Sequence, residues 1–91
     1  MAQVVITLRI MQDSPDIDLK QLEVKASAAI KHFGGEIGKV DIQPVAFGLK
    51  ALDIFFVMDE AKGSTEVLEN EIANFEGIAS VEITDVRRAI G

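Results

Sequence analysis

Phe47-Gly48, Lys62 and the pair Arg87-Arg88 are the residues whose type and setting in this 91-residue chain suit action on a partner molecule. Phe47 is an aromatic in a short segment between two predicted strands, where turns usually carry Asn, Asp or Gly and face water. It either projects as a wedge or folds back over the edge of the core, and the sequence leaves both readings open. Lys62 stands in a polar loop ahead of a predicted helix and reads as an ordinary solvated lysine. Arg87 and Arg88 are two of only three arginines and follow the last predicted strand as a mobile basic tail. Guanidinium forks match carboxylate or phosphate geometry, and protection of a sheet edge is the alternative role.

Chemistry on bonds fails on inventory. His32 is the single histidine, and one imidazole without partners makes neither a zinc site nor a triad. Beside Lys31 on the last turn of a predicted helix, its role is with the helix dipole. Asp13, Asp16 and Asp18 cluster before that helix, but a calcium loop needs a longer regular spacing and a terminal bidentate glutamate. They read as capping and solvation. Glu66, Glu69 and Glu76 lie along an exposed helix face, whereas paired-carboxylate catalysis needs convergence in a cleft. Gly34-Gly35-Glu36-Ile37-Gly38 follows a helix and precedes a strand, the reverse of a phosphate-cradling loop. No nucleotide, metal or cofactor is expected on this chain by itself.

Composition narrows the class further. A chain of this length, 48% hydrophobic and 26% charged, falls in the range of one globular domain, residues 1–91. Fifteen acidic against nine basic residues leave a net charge of −6, which repels phosphate backbones and anionic lipid heads, so direct nucleic-acid and membrane binding are not expected. The absence of cysteine removes disulfides and thiolate sites and fits a reducing compartment. No run of about 18 apolar residues occurs, and Met1-Ala2-Gln3 has no signal-peptide character, so a cytoplasmic chain is expected.

The elements that must position these residues follow from periodicity. Val4, Ile6, Leu8 and Ile10 alternate with polar neighbours from Gln3 to Met11, predicting a strand. Turn formers follow over residues 12–16, and Asp18 with Gln21 has the form of a capping box. Leu19, Leu22, Ala26, Ala29, Ile30 and Phe33 then share a helix face, and Gly34-Gly35 stops the helix. Glu36 to Pro44 predicts a shorter, more polar strand, with Pro44 marking either an edge position or the strand's end. From Leu49 to Met58, Leu52, Ile54, Phe56 and Met58 share one face, opposite Ala51, Asp53, Phe55 and Val57. Asp53 argues that its face looks outward. A polar loop over residues 59–63 precedes a second helix, capped by Ser64 or Thr65, with Leu68, Ile72 and Phe75 as its stripe and Gly77 as its stop. Val81 and Ile83 mark the fourth strand, after which residues 85–91 run out the chain.

The order βαββαβ, with right-handed crossovers, predicts an α+β ferredoxin-like sandwich: a four-stranded antiparallel sheet with two helices on one face. Val5, Phe55 and Val57 are then expected on the open face, bare or partly covered by a loop or tail.

The run Pro44-Val45-Ala46-Phe47-Gly48-Leu49-Lys50-Ala51-Leu52 resembles the Pro-Val-X-(Phe/Tyr)-Gly-(Ile/Leu)-Lys-X-Leu segment of the guanine-nucleotide exchange domain of the translation elongation factor 1-beta family. Asp59-Glu60-Ala61-Lys62-Gly63 is similar to the acidic loop with lysine of that family, and Ile72-Ala73-Asn74-Phe75-Glu76 to its helix end. The opening through residues 11–16 and the ending Val81-Glu82-Ile83-Thr84-Asp85-Val86-Arg87-Arg88 resemble its archaeal branch. The resemblance spans essentially the whole chain. It implies the same fold and exchange of guanine nucleotide on the elongation factor 1-alpha GTPase, with Phe47, Gly48, Lys50, Lys62, Arg87 and Arg88 as partner-binding residues. In eukaryotic relatives the aromatic enters the GTPase and a lysine beside the C-terminus disturbs the magnesium site. That lysine has no identical counterpart here; a one-residue gap brings Arg88 to its position.

Two other readings share the βαββαβ order. A regulatory module would bind a small molecule such as an amino acid at a dimer interface. An RNA-binding domain would stack bases on open-face aromatics, of which this face offers only Phe55.

Overall fold

The computed structural model describes residues 2–88. The elements run β1 (Gln3–Gln12), α1 (Leu19–Phe33), β2 (Glu36–Pro44), a 3-10 turn (Ala46–Gly48), β3 (Lys50–Asp59), a second 3-10 turn (Glu60–Lys62), α2 (Glu66–Ala73) and β4 (Ile78–Arg88). The strands form one antiparallel sheet in the order β2-β3-β1-β4. This is the ferredoxin-like arrangement expected from the sequence.

Alternation along β1 and β3 determines which face is covered. Ile6, Leu8 and Ile10 of β1 and Leu52, Ile54, Phe56 and Met58 of β3 are buried in one cluster with Leu22, Ala26, Ala29 and Ile30 of α1 and Leu68 and Ile72 of α2. Both helices therefore lie on the same side of the sheet. Asp18 caps α1 by accepting from the Lys20 backbone N–H at 2.9 Å, one position earlier than a capping box requires. At the other end Gly34 takes φ 109° and donates to the carbonyls of Ile30 and Lys31, a left-handed stop that a side chain would oppose. Helix α2 ends at Ala73, yet Phe75 in the following turn still packs against the core.

The open face holds a central ion pair. Asp53 is on the face expected, but it is only 6% exposed because Arg9 of β1 covers it, Nε to Oδ1 at 2.9 Å and Nη2 to Oδ2 at 3.0 Å. The hydrogen bonds and then the charge of Asp53 raise the Arg9 pKa. Val5, Phe55 and Val57 are half-buried, and the Lys39 ammonium sits 5.6 Å from the centre of the Phe55 ring.

The last strand corrects the expected ending. Residues 85–88 continue β4 beside β1, with Asp85 opposite Thr7 and Arg88 opposite Val4, so they do not run out as a mobile basic tail. The reason is a register shift. Ile83 pairs with Leu8 and Asp85 with Thr7, leaving Thr84 as the extra residue of a β-bulge. A bulge inserts one residue and so reverses the parity beyond it. Val86 and Arg88 thus join the helix-side face opposite Ile6 and Val4, and Arg87 joins the open face opposite Val5. Ala89, Ile90 and Gly91 lie outside the described residues.

Candidate functional site

The segment joining β2 to β3 is a tight turn. Val45 donates its N–H to the Leu49 carbonyl at 2.9 Å, and Leu49 donates to Ala46 at 3.2 Å. Closing the chain so sharply places two successive residues at positive φ, Phe47 (φ 61°, ψ 31°) and Gly48 (φ 74°). Glycine meets that demand without cost, whereas a residue with a Cβ loses about 1–2 kcal/mol in the left-handed region. Phe47 is the only described residue other than glycine with positive φ. The residue is 94% exposed, so its ring does not fold back over the core. A strained backbone combined with a solvated aromatic stabilises nothing within the domain, and such local violations concentrate at functional positions. Lys50, the first residue of β3, has an exposed side chain.

The arginines stand at the other end. Val4, which pairs with Arg88, also pairs with Met58 near the end of β3, while the Phe47 turn precedes its start. Ten residues of β3 at about 3.3 Å each separate the two ends by roughly 30 Å, within a molecule 42 Å long. Arg88 is engaged: Nη2 lies 2.7 and 2.8 Å from Glu60 Oε1 and Oε2, and Nε 3.1 Å from Oε2. Hydrogen bonding to Glu60 and then its charge raise the Arg88 pKa. The pair borders an open hollow with Ala2, Asp59 and Ala61. Arg87, turned to the opposite face by the alternation of the strand, contacts Asp85 at 2.9 Å.

Lys62 lies in the second 3-10 turn. Its Cε and Nζ pass so close to Gly34 that a Cβ there would sit 2.6 and 2.7 Å from them. The ammonium therefore rests over the C-terminus of α1, where Lys31 and His32 also lie, and where positive charge meets the negative end of the helix dipole.

Two residues were not singled out from sequence. Glu60 stands in the sequence as one member of a polar, acidic loop, and its partner is 28 positions away. Gln12 continues the parity of Ile6, Leu8 and Ile10 into the covered face, and an amide in an aliphatic series was the signal available. It is 2% exposed and both ends of its amide are bonded.

Comparison with known proteins adds the rest. The family described as the EF-1 guanine nucleotide exchange domain matches residues 5–89. A protein of Methanothermobacter thermautotrophicus named elongation factor 1-beta is 42% identical over 88 residues, covering 97% of this chain and 98% of that protein. Its namesake from Methanobrevibacter smithii is 44% identical with the same coverage. Among solved structures, the C-terminal domain of the MgtC protein from Mycobacterium tuberculosis aligns with TM-score 0.66 at 13% identity, covering 97% of this chain and 88% of that one. The ACT domain of a GTP pyrophosphokinase from Chlorobium tepidum aligns at 0.61 with 15% identity, covering 89% and 97%. At such identities these two likenesses show the fold alone.

Proposed function

We propose, for a chain that belongs to the EF-1 guanine nucleotide exchange domain family, that the Phe47 turn is the wedge by which it acts on its GTPase. The chain is a guanine-nucleotide exchange factor for elongation factor 1-alpha, and the regulatory-module reading is not favoured. The observation that carries the wedge assignment is the strained backbone and 94% exposure of Phe47.

Exchange needs no bond chemistry from the factor. If the factor binds the nucleotide-free GTPase more tightly than the loaded one, reciprocity obliges it to weaken nucleotide binding by the same ratio. It acts in this way by differential binding rather than as an enzyme on a covalent substrate. A phenyl ring that finds room only in the opened GTPase supplies the difference. Burying about 200 Å² at about 25 cal/mol per Å² is worth roughly 5 kcal/mol before ordering costs. The ring costs little entropy to fix, since two torsions define it and the turn already holds its backbone.

The two ends of the sheet have separate tasks. One pocket on the partner cannot receive both Phe47 and Arg88 across about 30 Å. Lys50 and Gly48 accompany the wedge, Gly48 by permitting the turn and Lys50 as a cation at its base. Arg88 is the cation of the far end, facing the acidic groups that a departing magnesium ion leaves uncompensated. To reach them it exchanges Glu60 for a carboxylate of the partner, an easy exchange because the pair is exposed and an exposed pair is weakly held. Arg87, on the opposite face, and Lys62, over the end of α1, support the partner contact from its margin.

The test is release of a fluorescent GDP analogue from an archaeal elongation factor 1-alpha, in excess unlabelled nucleotide, with the chain and with Phe47→Ala. The expected result is strong acceleration by the parent and a loss of about 30-fold or more in the variant, the scale of a buried aromatic anchor at an interface. An undiminished rate with Phe47→Ala would sink the wedge.

A further inference from the structure

We infer that Gln12 is a positioning residue for exchange, holding the Phe47 turn in its projecting conformation; this rests on the reading of Phe47 as the GTPase contact. Gln12 ends β1 on the face that otherwise buries aliphatic side chains, and it is 2% exposed. A polar group in such a place is tolerated only when its hydrogen bonds are made. Both are. The Lys50 backbone N–H donates to Gln12 Oε1 at 2.8 Å, and Gln12 Nε2 donates to the Ile17 carbonyl at 3.0 Å.

The choice of partners gives the amide its meaning. The β1–β3 ladder ends at Met11 opposite Ala51, so Lys50 is the first residue beyond it and the Gln12 side chain stands where another rung would be. Lys50 follows the turn directly, and Leu49, its neighbour, is bonded on both sides within it. On the other flank Ile17 belongs to the loop before α1, and Pro15 of that loop lies 3.9 Å from where a Cβ of Gly48 would be. One buried amide thus ties the end of β1, the loop and the root of the turn together. Phe47 makes no packing contact of its own that would hold a positive φ, so the hold comes from the root. Leucine or methionine would fill the same volume and would leave the Lys50 N–H without an acceptor.

The experiment uses Gln12→Leu, with Gln12→Met in reserve should the first not fold, each compared with the parent at a temperature where circular dichroism shows it fully folded. Amide hydrogen exchange followed by NMR is expected to speed up about tenfold or more at Leu49 and Lys50, while amides in the middle of β3 keep their protection. Nucleotide release from elongation factor 1-alpha is then measured in a double-mutant cycle with Phe47→Ala. The expected result is a loss of about three- to tenfold on replacing Gln12 when Phe47 is present and almost none when it is absent, the signature of two residues acting as one unit. A role in stability alone would reduce both backgrounds equally, and that result, or unchanged exchange at Leu49 and Lys50, would overturn the proposal. Full activity of Phe47→Ala with Gln12 intact overturns the Phe47 reading instead, and is told apart because it needs no Gln12 variant.

Discussion

Phe47 and Arg88 stand at opposite ends of the sheet, with the ten-residue length of β3 between them. Sites so far apart, sharing no partner within the domain, act independently. Replacing both should therefore reduce exchange by the product of the two single fold-changes, within a factor of about two. The measurement is nucleotide release with Phe47→Ala, Arg88→Ala and the double variant. A double variant no worse than the poorer single one would place both residues on one step and contradict the two-ended contact.

Phe47 is also where stability and activity pull apart. Asparagine tolerates the left-handed region far better than phenylalanine does. Phe47→Asn is expected to raise the melting temperature by a few degrees, since about 1 kcal/mol is worth 4–8 °C in a domain of this size, while lowering exchange as Phe47→Ala does. Thermal melts of the two proteins decide it: a lower melting temperature for Phe47→Asn would mean that the ring stabilises the isolated domain.

The Arg9–Asp53 pair is unequal, and its mutants should be unequal too. Asp53 is buried while a third of the Arg9 side chain reaches solvent. Arg9→Leu leaves a buried carboxylate alone and is expected to cost about 2–3 kcal/mol, more than Asp53→Ala, which leaves a guanidinium that water can reach, at about 1 kcal/mol. Urea titrations of the two variants check the order. The raised pKa of Arg9 works in the same direction at every ordinary pH: its stabilising effect is complete below the usual arginine value and is lost only as pH climbs through the folded value, in strong alkali. The guanidinium itself should therefore add no slope to stability between about pH 5 and about pH 9.

What sequence made legible was whatever repeats with a fixed period. Ile6, Leu8 and Ile10, the stripe of α1, and Leu52 through Met58 each announce their face, and together they dictate the fold. The legible alternation stops at Thr84 because the bulge there changes the parity beyond it, and no local feature tells an interrupted alternation from an ended one. Contacts between distant residues were equally out of view: Arg9 meets Asp53 across 44 positions and Arg88 meets Glu60 across 28. Phe47 could be singled out by type but not by exposure, because that depends on the two positive φ angles of the turn. Gln12 was visible only as an amide in an aliphatic series, and its acceptor role emerged with the position of Lys50.

Gly34 and Gly35 read alike in the sequence, as a helix stop, but the structure gives them different duties. Gly34 supplies the left-handed φ, whereas Gly35 is not at positive φ and instead allows α1 to leave the sheet closely. A Cβ on Gly35 would lie 2.7 Å from Ile30 Cγ2 and 2.9 Å from Phe56 Cδ2, both on fully buried side chains that have no free direction in which to yield. Gly35→Ala is therefore an overpacking change, expected to cost about 1–3 kcal/mol and to lower the melting temperature by roughly 5–20 °C. Gly38→Ala in β2 is its control, because the Phe55 carbonyl oxygen, 3.5 Å from the added Cβ, is an ordinary contact and no positive φ opposes the change; a change within about 1 kcal/mol is expected there. Neither glycine belongs to the Phe47 turn, so both variants should accelerate nucleotide release like the parent at temperatures where they are folded. Equal melting temperatures for the two variants would show that Ile30 and Phe56 can move aside, and that close packing does not govern Gly35.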